Sequence, residues 1–496
     1  MTLDQTKNAE ASQSTQVAAP TKQVKPFEPG SYEMQNHFYP RVLNAQIHPL
    51  VRFFMNLGNE RIAQRYCHLH PETPYEDILA VLQKESRFFR WGGADLFQTT
   101  TDKGIRQTVV IETNSSPSGQ KSMPLLEEGQ EQAGYRKLLE RSFLPAVRKK
   151  KSLKGVLAVL HDKNPMETEG YASTLADLAG ETVYHVPFYV NDPNPPARFV
   201  DGILEIYVKG DWVPVRGALK YVTQRPWTRI PPITKTLIFN PVLCCLAGGR
   251  NKLLAAKAYD MFNANHQESG FQIHAPETIW DVSHREIPFW VERMGGFAVV
   301  KNPYSNAGQG VWTITNQDEL DAFMALEQRY DQFIVQALIG NRNWSSRGSH
   351  GSLYHLGTIP NKKKNLFVVD FRFMVGSSPE GFFPVAIYAR RARKPLAKDL
   401  DGSVHSWEML GTNLSVKKED GSWDTESHRL LLMDSRDFNA LGLGVDDLVE
   451  AYIQSVLAVS AIEDMSARLV TQKGKFRRRL FQSLNPDASL VEEICE

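Results

Sequence analysis

The chain has 496 residues, of which 42% are hydrophobic and 23% are charged, and its 57 lysines and arginines nearly balance 56 aspartates and glutamates. This balance excludes a general attraction to nucleic acid or to an anionic membrane, while the length suffices for about two to four domains with cores of their own. The cysteines are too few and too scattered for a disulfide framework or a zinc site; they are Cys67, Cys244, Cys245 and Cys495.

The N-terminal segment 1–30 is polar and rich in Ser, Thr, Gln and Ala. It lacks the apolar centre of a signal peptide and the arginines of a transit peptide. No uninterrupted apolar run in the chain approaches the ~18 residues of a membrane span. We therefore expect a disordered tail on a cytoplasmic protein that has neither a membrane nor a nucleic acid as its partner.

The next part of the chain, 31–150, begins with helical periodicity and then changes to β-structure. The segments "GADLFQTT" and "RQTVVIETN" are β-rich and flank "TDKG", which predicts a hairpin. "QAGYRKLLERSFLPAVRKK" returns to helix. We expect this part to hold a helical segment and one half of a functional core.

Residues 151–249 predict a small α/β domain. The continuous apolar run "LKGVLAVLH" is typical of a strand buried on both faces, and a helix near 171–178 and the strand "ETVYHVPF" follow it. This alternation predicts three layers, with a hairpin at "ILEIYVKGDWVPVRG". Since the segment lies between two halves of a candidate site, we expect it to contribute substrate-binding surface.

The remaining sequence divides into 250–340 and 341–496. The first part predicts a helix at "RNKLLAAKAYDMF", the strand of "FAVVK" and the strand "FIVQALIG". The second predicts the strands "LFVVDFRFMVG" and "FFPVAIYARRAR", with helices from about residue 445 onward. The polar, Gly- and Ser-rich segment 340–365 predicts a mobile loop or an insertion.

The stretch "VVKNPYSNAGQGV" places Lys301 at the end of an apolar strand, before a loop of small and polar residues. Backbone N–H groups of such a loop approach phosphate oxygens without steric hindrance. It is not a Walker A loop, because the lysine precedes the glycines. By itself the stretch fits an ordinary hairpin as well as a phosphate-binding loop.

The segment "VVIETNSSPSG" carries Glu112 and Asn114, which share one face of a regular strand with Val110. Their side-chain oxygens are ligands of the kind that Mg²⁺ prefers, and Asp95 on the partner strand offers a third. The competing interpretation is a polar, solvent-facing edge.

A set of cations comes from other parts of the chain: Lys252 near a helix start, Arg372 in "DFR", and Arg390, Arg391 and Arg393 after "VAIYA". Each alone is more often a surface or salt-bridge residue. Together, around a magnesium–phosphate site, they are what a triphosphate and an anionic transition state require.

In this order the motifs resemble the ATP-grasp family. The matching pieces are "ADLF…VVIETNSSPSG", "NKLLAAKAYDMF…HAPET", "FAVVKNPYSNAGQGV", "FIVQALIG", "VVDFRFMV", "AIYARRA" and "LGTNLSVK". The metal-binding strands usually come last in that family, whereas here they come first. The resemblance therefore implies a circularly permuted ATP-grasp fold of α+β / α/β class, as in glutathionylspermidine synthetase and eukaryotic glutathione synthetase, with a central three-layer α/β domain.

The resemblance also implies roles for individual residues. Lys252 and Lys301 would neutralise the ATP phosphates. The lid loop would close over them through Ser305, Asn306, Gly308 and Gly310. The hinge against adenine would be formed by Gln336, Ala337 and Leu338. Mg²⁺ would be held by Asp95, Glu112 and Asn114, with Asn413 beside that site. The γ-phosphoryl group and the acyl phosphate would be steadied by Arg372 and by Arg390 or Arg391, which cannot both face the site on a regular strand.

The implied function is an ATP-dependent carboxylate–amine ligase that acts on an amino acid, a peptide or a small metabolite through an acyl phosphate. Two alternatives stay open: an ATP-grasp phosphotransferase or protein-modifying ligase, and a nucleotide-binding regulatory protein with a degenerate site. The hinge lacks the acidic residue that often binds ribose, and the lid loop has fewer glycines than the richest family examples. The sequence predicts neither the substrates nor the oligomeric state.

Overall fold

The computed structural model describes residues 20–150, 153–305, 310–349, 351–417 and 423–495. The helices in these ranges, numbered in chain order, are α1 (Pro40–Leu43), α2 (Pro49–Met55), α3 (Asn59–Leu69), α4 (Tyr75–Gln83), α5 (Ala133–Leu138), α6 (Leu144–Lys149), α7 (Pro165–Ala179), α8 (Val242–Cys244), α9 (Lys252–Asn265), α10 (Ile287–Arg293), α11 (Gln317–Met324), α12 (Ser406–Leu410), α13 (Ser435–Leu441), α14 (Val445–Arg468), α15 (Arg478–Leu484) and α16 (Ala488–Cys495). Within the described ranges, none of these helices combines the length and the apolar character that a membrane crossing needs.

The strands of the same ranges are β1 (Lys25–Phe27), β2 (Trp91–Thr101), β3 (Arg106–Ser115), β4 (Val156–His161), β5 (Val183–Pro187), β6 (Ala197–Val200), β7 (Ile203–Val208), β8 (Asp211–Tyr221), β9 (Leu237–Phe239), β10 (Thr278–Ser283), β11 (Ala298–Lys301), β12 (Val311–Ile314), β13 (Gln332–Ala337), β14 (Leu353–His355), β15 (Val369–Ser378), β16 (Gly381–Arg391), β17 (Ser415–Lys417), β18 (Trp423–Thr425) and β19 (Leu430–Leu431). With helices and several sheets in one chain, the predicted mixed α/β class is confirmed.

The first sheet has seven strands in the order β1-β5-β4-β8-β7-β6, with β9 beside β8. Its centre is parallel, because β4 pairs in parallel with both β5 and β8. The β4 segment is buried along almost its whole length, as its continuous apolar sequence predicts. Helix α7 connects β4 to β5 and packs on both strands.

The central sheet is antiparallel and has the order β14-β2-β15-β16-β19, with β3 on the other side of β2. It joins an N-terminal hairpin, β2–β3, to the C-terminal hairpin β15–β16. The long helix α14 packs across β2, β3 and β15, and most of its residues are buried. Distant parts of the chain thus form one sheet on one supporting helix.

A β-bulge interrupts the hairpin β2–β3. Asp95 pairs with Glu112, while the next residue of β2 pairs with Val110, so Ile111 is the extra residue. The strict alternation expected from sequence therefore fails at this point, and Val110 lies on the opposite face from Glu112. Glu112 and Asn114 still share a face, because the bulge precedes both of them.

The third sheet, which we term the lid sheet, has the order β10-β13-β11-β12. It has a hydrophobic core of its own, formed with α10 and α11 by residues that include Val291, Val300, Phe323 and Phe333. A separate core makes the lid sheet a distinct packing unit above the central sheet.

The entry into β2 is held by Glu463 on α14. Its carboxylate accepts hydrogen bonds of 2.6–3.3 Å from the backbone N–H groups of Arg87, Phe88 and Phe89. The side chain is buried. One charged group therefore satisfies the buried donors of a segment that has no strand partner there.

We expect Glu463→Gln to lower the free energy of unfolding by about 2 kcal/mol, because the amide replaces one acceptor oxygen by a donor facing other donors. Guanidinium unfolding followed by tryptophan fluorescence measures the change. The control is the adjacent Asp464→Asn, which removes only an exposed ion pair of 3.0 Å with Lys84 and should change stability by less than about 0.5 kcal/mol. Equal effects of the two substitutions would contradict this role of Glu463.

Candidate functional site

One face of the central sheet collects charged side chains from its three middle strands. In the register, Asp95 on β2 lies opposite Arg372 on β15, and Asp370 lies opposite Arg390 on β16. Because side chains two residues apart on a strand share a face, these four groups lie on the same side of the sheet. Glu112 extends the row on β3, opposite Asp95.

The four groups form a buried ion network. The guanidinium of Arg372 binds Asp95 through two hydrogen bonds of 2.6 Å. Arg390 bridges the two carboxylates: it lies 2.9 Å from Asp95 and donates to both oxygens of Asp370. Burial alone would raise the pKa of Asp95, but the charges of Arg372 and Arg390 lower it to about 2. For Asp370 the effect of burial exceeds the opposing effect of the Arg390 charge, so the pKa of this carboxyl group is raised.

Asp95, which the sequence predicts as a metal ligand, takes part in this network, and its role as a ligand stays a prediction. Both of its oxygens accept hydrogen bonds from guanidinium groups, Oδ1 from Arg372 and Oδ2 from Arg372 and Arg390. The sequence places Asp95 correctly beside Glu112, but sequence alternation does not reveal that arginines from two other strands reach the same carboxylate.

The choice between the two neighbouring arginines of β16 is resolved by the same network. Arg390 points into it, whereas Arg391 lies on the opposite face, with its guanidinium 4.5 Å from the ring centre of Phe367. The alternation of a regular strand requires this division.

Glu112 faces the space beneath the lid sheet, and Asn114 lies two residues farther along on the same face of β3. Within the described part of the chain, the carboxylate of Glu112 has no hydrogen-bond or ion-pair partner, although its charge acts on Lys301. The amide nitrogen of Asn114 is buried and has no partner among the described residues. The described ranges contain no group of three or more His, Cys, Asp or Glu positioned to hold a metal ion. Glu112 and Asn114 are thus two polar groups without a protein partner, side by side.

Lys301 ends β11 and is buried. Its ammonium donates a 2.6 Å hydrogen bond to the side-chain oxygen of Gln336 on β13, and Gln336 in turn donates to Thr278 at 2.8 Å. Burial, together with the nearby charge of Lys252, lowers the pKa of Lys301 to about 8, while the Glu112 carboxylate opposes the shift. The lysine is therefore held in place without a direct carboxylate partner.

Lys252 begins α9, which Asn251 caps through its side chain. Its ammonium contacts Ser305 twice, at 2.7 Å to the hydroxyl and 3.1 Å to the carbonyl oxygen. The predicted lid loop starts at this serine; Asn306 and Gly308 lie outside the described residues. The loop returns at Gly310, which has a φ of +69° and accepts a hydrogen bond from the N–H of Asn302. A side chain at Gly310 would meet Asn302 at 2.7 Å, so the neck of the loop requires glycine.

The predicted hinge residues Gln336, Ala337 and Leu338 lie at the end of β13. The N–H of Ala337 donates to the carbonyl of Glu277, and the N–H of Leu338 donates at 2.6 Å to the hydroxyl of Ser346. These backbone donors are already satisfied, so the hinge offers a ligand mainly its side-chain surfaces. Sequence reasoning did not identify Ser346, because no motif marks it.

A cavity of about 470 Å³ lies between the lid sheet and the central sheet. A smaller one, of about 110 Å³, adjoins it, and both are lined by Glu112, Lys252, Lys301 and the hinge. The smaller cavity also reaches Asp95, Arg390 and Asn413. These cavities thus bring together Glu112, both lysines, the hinge, Asp95, Arg390 and Asn413, whereas Asn114, Ser305, Gly310, Arg372 and Arg391 lie outside their linings. The linings also include residues for which the sequence motifs implied no role: Asp260, His274, Ser346 and Trp407.

No family model matches this chain, and no curated protein does. Among solved structures, the glutathione synthetase-like effector GSS30 from Globodera pallida aligns with 69% of this chain and 83% of its own, at 11% identity and a TM-score of 0.37. A RimK domain ATP-grasp protein from Sphaerobacter thermophilus aligns with 47% of this chain and 89% of its own, at 13% identity and a TM-score of 0.28. D-alanyl-alanine synthetase A from Vibrio cholerae aligns with 61% of this chain and 98% of its own, at 10% identity and a TM-score of 0.28. Since these TM-scores are below 0.5, the likeness carries no argument about activity.

We expect Arg390→Met to lower the free energy of unfolding by about 3–5 kcal/mol. The substitution leaves Asp370 buried without a guanidinium partner and removes one of the two guanidinium groups that bind Asp95. The matched control is Arg391→Met on the next residue, where only the contact with Phe367 is lost and the change should stay below about 1 kcal/mol. Chemical unfolding of both variants measures the difference. If the two substitutions destabilise equally, the division of the arginines between the two faces is not as described.

We expect Lys301→Met to raise the free energy of unfolding by about 1–2 kcal/mol at pH 7, because the wild type buries an ammonium there. Between a folded pKa of about 8 and the higher pKa of the unfolded chain, the unfolded state binds more protons, so wild-type stability rises with pH. The advantage of the variant should therefore shrink between pH 7 and pH 10, as measured by chemical unfolding. For the exposed Lys235→Met we expect no such trend with pH. If the extra stability of Lys301→Met does not depend on pH, this explanation is contradicted.

Proposed function

We propose that this protein is an ATP-dependent carboxylate–amine ligase with a circularly permuted ATP-grasp core. The observation that carries the proposal is the meeting of Lys252, Lys301 and the unpartnered Glu112 around one cavity between two sheets. Two cations opposite a free carboxylate are the arrangement that a metal-bound polyphosphate requires. The permuted order is supported by the central sheet, in which the N-terminal hairpin lies against the C-terminal strands.

The triphosphate of ATP would lie against Lys301 and Lys252. The first is pre-positioned by Gln336, and the second contacts Ser305 at the start of the lid loop, so phosphate binding and loop position are coupled through one ammonium. The adenine would occupy the cavity beside Ala337 and Leu338. Phosphoryl transfer depends on such positioning and charge neutralisation rather than on a strong protein base.

Glu112 and Asn114 would hold Mg²⁺. They fit this cation because they share one face of β3 and together supply one carboxylate and one amide oxygen. Magnesium is usually bound by one or two protein ligands plus phosphates and water. The ion, when bound, would offset negative charge on the phosphates. Asp95 is then a positioning residue, which holds Arg372 and Arg390 in the site.

The reaction would proceed in two displacements. A carboxylate oxygen of the acid substrate attacks the γ-phosphorus, and the bond from that phosphorus to the bridging oxygen breaks, which gives an acyl phosphate and ADP. The amine nitrogen then attacks the acyl carbon, inorganic phosphate leaves, and the nitrogen loses a proton. Arg372 and Arg390 would stabilise the charge on the transferred group, and closure of the lid loop would exclude water from the acyl phosphate.

The proposal is tested by ADP release with a panel of carboxylic acids in the presence of hydroxylamine. A ligase of this class gives ADP together with a hydroxamate, since hydroxylamine traps the acyl phosphate. ADP without hydroxamate across the panel would favour a phosphotransferase, and a protein that binds no nucleotide would overturn the assignment to ATP chemistry.

We expect the double change Glu112→Gln with Asn114→Ala to lower the rate of ADP formation at least about 100-fold, because the phosphates lose their metal. The same assay over a range of Mg²⁺ concentrations measures it. Asp102→Asn, in the exposed turn of the same hairpin, serves as control and should leave the rate unchanged. Undiminished turnover in the double variant would show that these two residues do not hold the metal.

A further inference from the structure

A second polar site lies at the carboxyl ends of the parallel strands of the first sheet. Strand β4 has β5 on one side and β8 on the other, and α7 leads from β4 to β5. The sheet order therefore changes direction between β4 and β8. In open α/β sheets, ligands bind in the crevice at such a switch point, beyond the carboxyl ends of the strands.

The residue that occupies this crevice is Lys163, two residues after β4. The residue is exposed to solvent, and its ammonium has no hydrogen-bond or ion-pair partner among the described residues. The charges that act most strongly on its pKa are mainly positive, those of Arg250, Arg372 and Lys121, while the charge of Asp162 opposes them. Surrounding protein atoms and the charge of Arg250 lower the pKa of Lys163 to about 7.

The carboxylates of this region do not neutralise the cations. Asp162 accepts hydrogen bonds from the backbone N–H groups of Thr223 and Gln224, at the end of β8. Glu167 is fully buried and accepts from Ser118, from the N–H groups of 119 and 120, and from Asn164. With both carboxylates committed to backbone and side-chain donors, the crevice keeps an excess of positive charge.

The two loops around the crevice are fixed in position. Asn164 has a left-handed backbone with a φ of +56°, and its amide donates to Ser118, Glu167 and Tyr221. The carbonyl of Ser118 accepts a 3.0 Å hydrogen bond from Tyr388, which lies opposite Arg372 on the central sheet. The crevice is therefore tied to the face that carries the ion network.

Arg250 connects the crevice to the larger cavity, which it also lines. One of its terminal nitrogens donates to the carbonyl of Ser115 at 3.2 Å, while its Nε is buried without a partner among the described residues. A guanidinium with a buried, unpartnered nitrogen, whose charge acts on an unpartnered ammonium, is suited to binding one acceptor-rich anion.

We propose that Lys163 and Arg250 form the subsite that binds the carboxylate group of the acid substrate, at the border between the first sheet and the larger cavity. This inference rests on the proposed function for the identity of the anion, but not for the presence of an anion site. The reacting acid would enter through the switch-point crevice, and ATP would occupy the cavity under the lid sheet.

The site can be tested without turnover by labelling with pyridoxal 5′-phosphate, an anionic aldehyde. The aldehyde condenses with a neutral lysine amine to an imine and water, and borohydride then delivers hydride to the imine carbon while solvent protonates the nitrogen. Peptide mapping by mass spectrometry identifies the lysine. We expect Lys163 to be labelled at least about 10-fold faster than the exposed Lys235, and pyridoxal, which lacks the phosphate, to give no such preference.

Competition identifies the anion. Glutarate should protect Lys163 from labelling more effectively than equimolar inorganic phosphate; better protection by phosphate would overturn the assignment to a carboxylate. Arg250→Gln should lower labelling of Lys163 about 10-fold and leave that of Lys235 unchanged. Labelling of Lys163 that is indifferent both to the phosphate of the probe and to Arg250 would show that no anion site exists.

Kinetics separates this inference from the proposed function. Lys163→Gln should raise the KM for the acid at least about 10-fold and leave the KM for ATP within about twofold, with partial recovery in Lys163→Arg. An unchanged KM for the acid would overturn the inference while the ligase proposal stands. Specific labelling of Lys163 in a protein that releases no ADP with any acid would leave an anion site and remove the ligase proposal.

Discussion

The arrangement of the site depends on the buried ion network of Asp95, Asp370, Arg372 and Arg390. Taking four charges out of water is costly, and it is compensated only when every hydrogen bond is formed in good geometry. That condition fixes the register of β2, β15 and β16, because a shift of one residue would turn these side chains to the apolar face against α14. A fixed register in turn sets the position of Glu112, on the strand next to Asp95.

The network also explains why separated segments of the chain meet at one place. The N-terminal hairpin supplies one carboxylate, and the C-terminal hairpin supplies the other carboxylate and both guanidinium groups. The lid sheet has its own core and contributes Lys301 and the hinge from above. The cleft is thus the junction of two separately packed units, an arrangement that allows one unit to close over the other.

Several polar groups without a protein partner lie at this junction and beside the neighbouring switch point. Glu112, Asn114 and the Nε of Arg250 have no protein partner in the described part of the chain, whereas Asp162, Glu167 and Glu463 all accept hydrogen bonds from backbone N–H groups. Buried or crowded groups without partners lower stability, and such groups persist chiefly where a ligand completes them. The burial of Lys301 without a carboxylate partner follows the same rule.

The sequence by itself determined the mixed α/β class, the buried strand in "LKGVLAVLH", and the shared face of Glu112 and Asn114. These follow from periodicity and local chemistry, which act over a few residues. It also predicted that Lys252 and Lys301 belong together, through a resemblance of ordered motifs.

Only the tertiary structure decided which partners the charges take. Asp95 is bound by two arginines that lie more than 270 residues away in the chain, and Arg390 rather than Arg391 enters the network. The bulge at Ile111 turns Val110 to the opposite face from Glu112. Lys163 stands in a cationic crevice that no motif marks. The reason is physical: the energy of a buried charge is set by the groups that the fold brings within a few ångströms, and sequence spacing does not encode those distances.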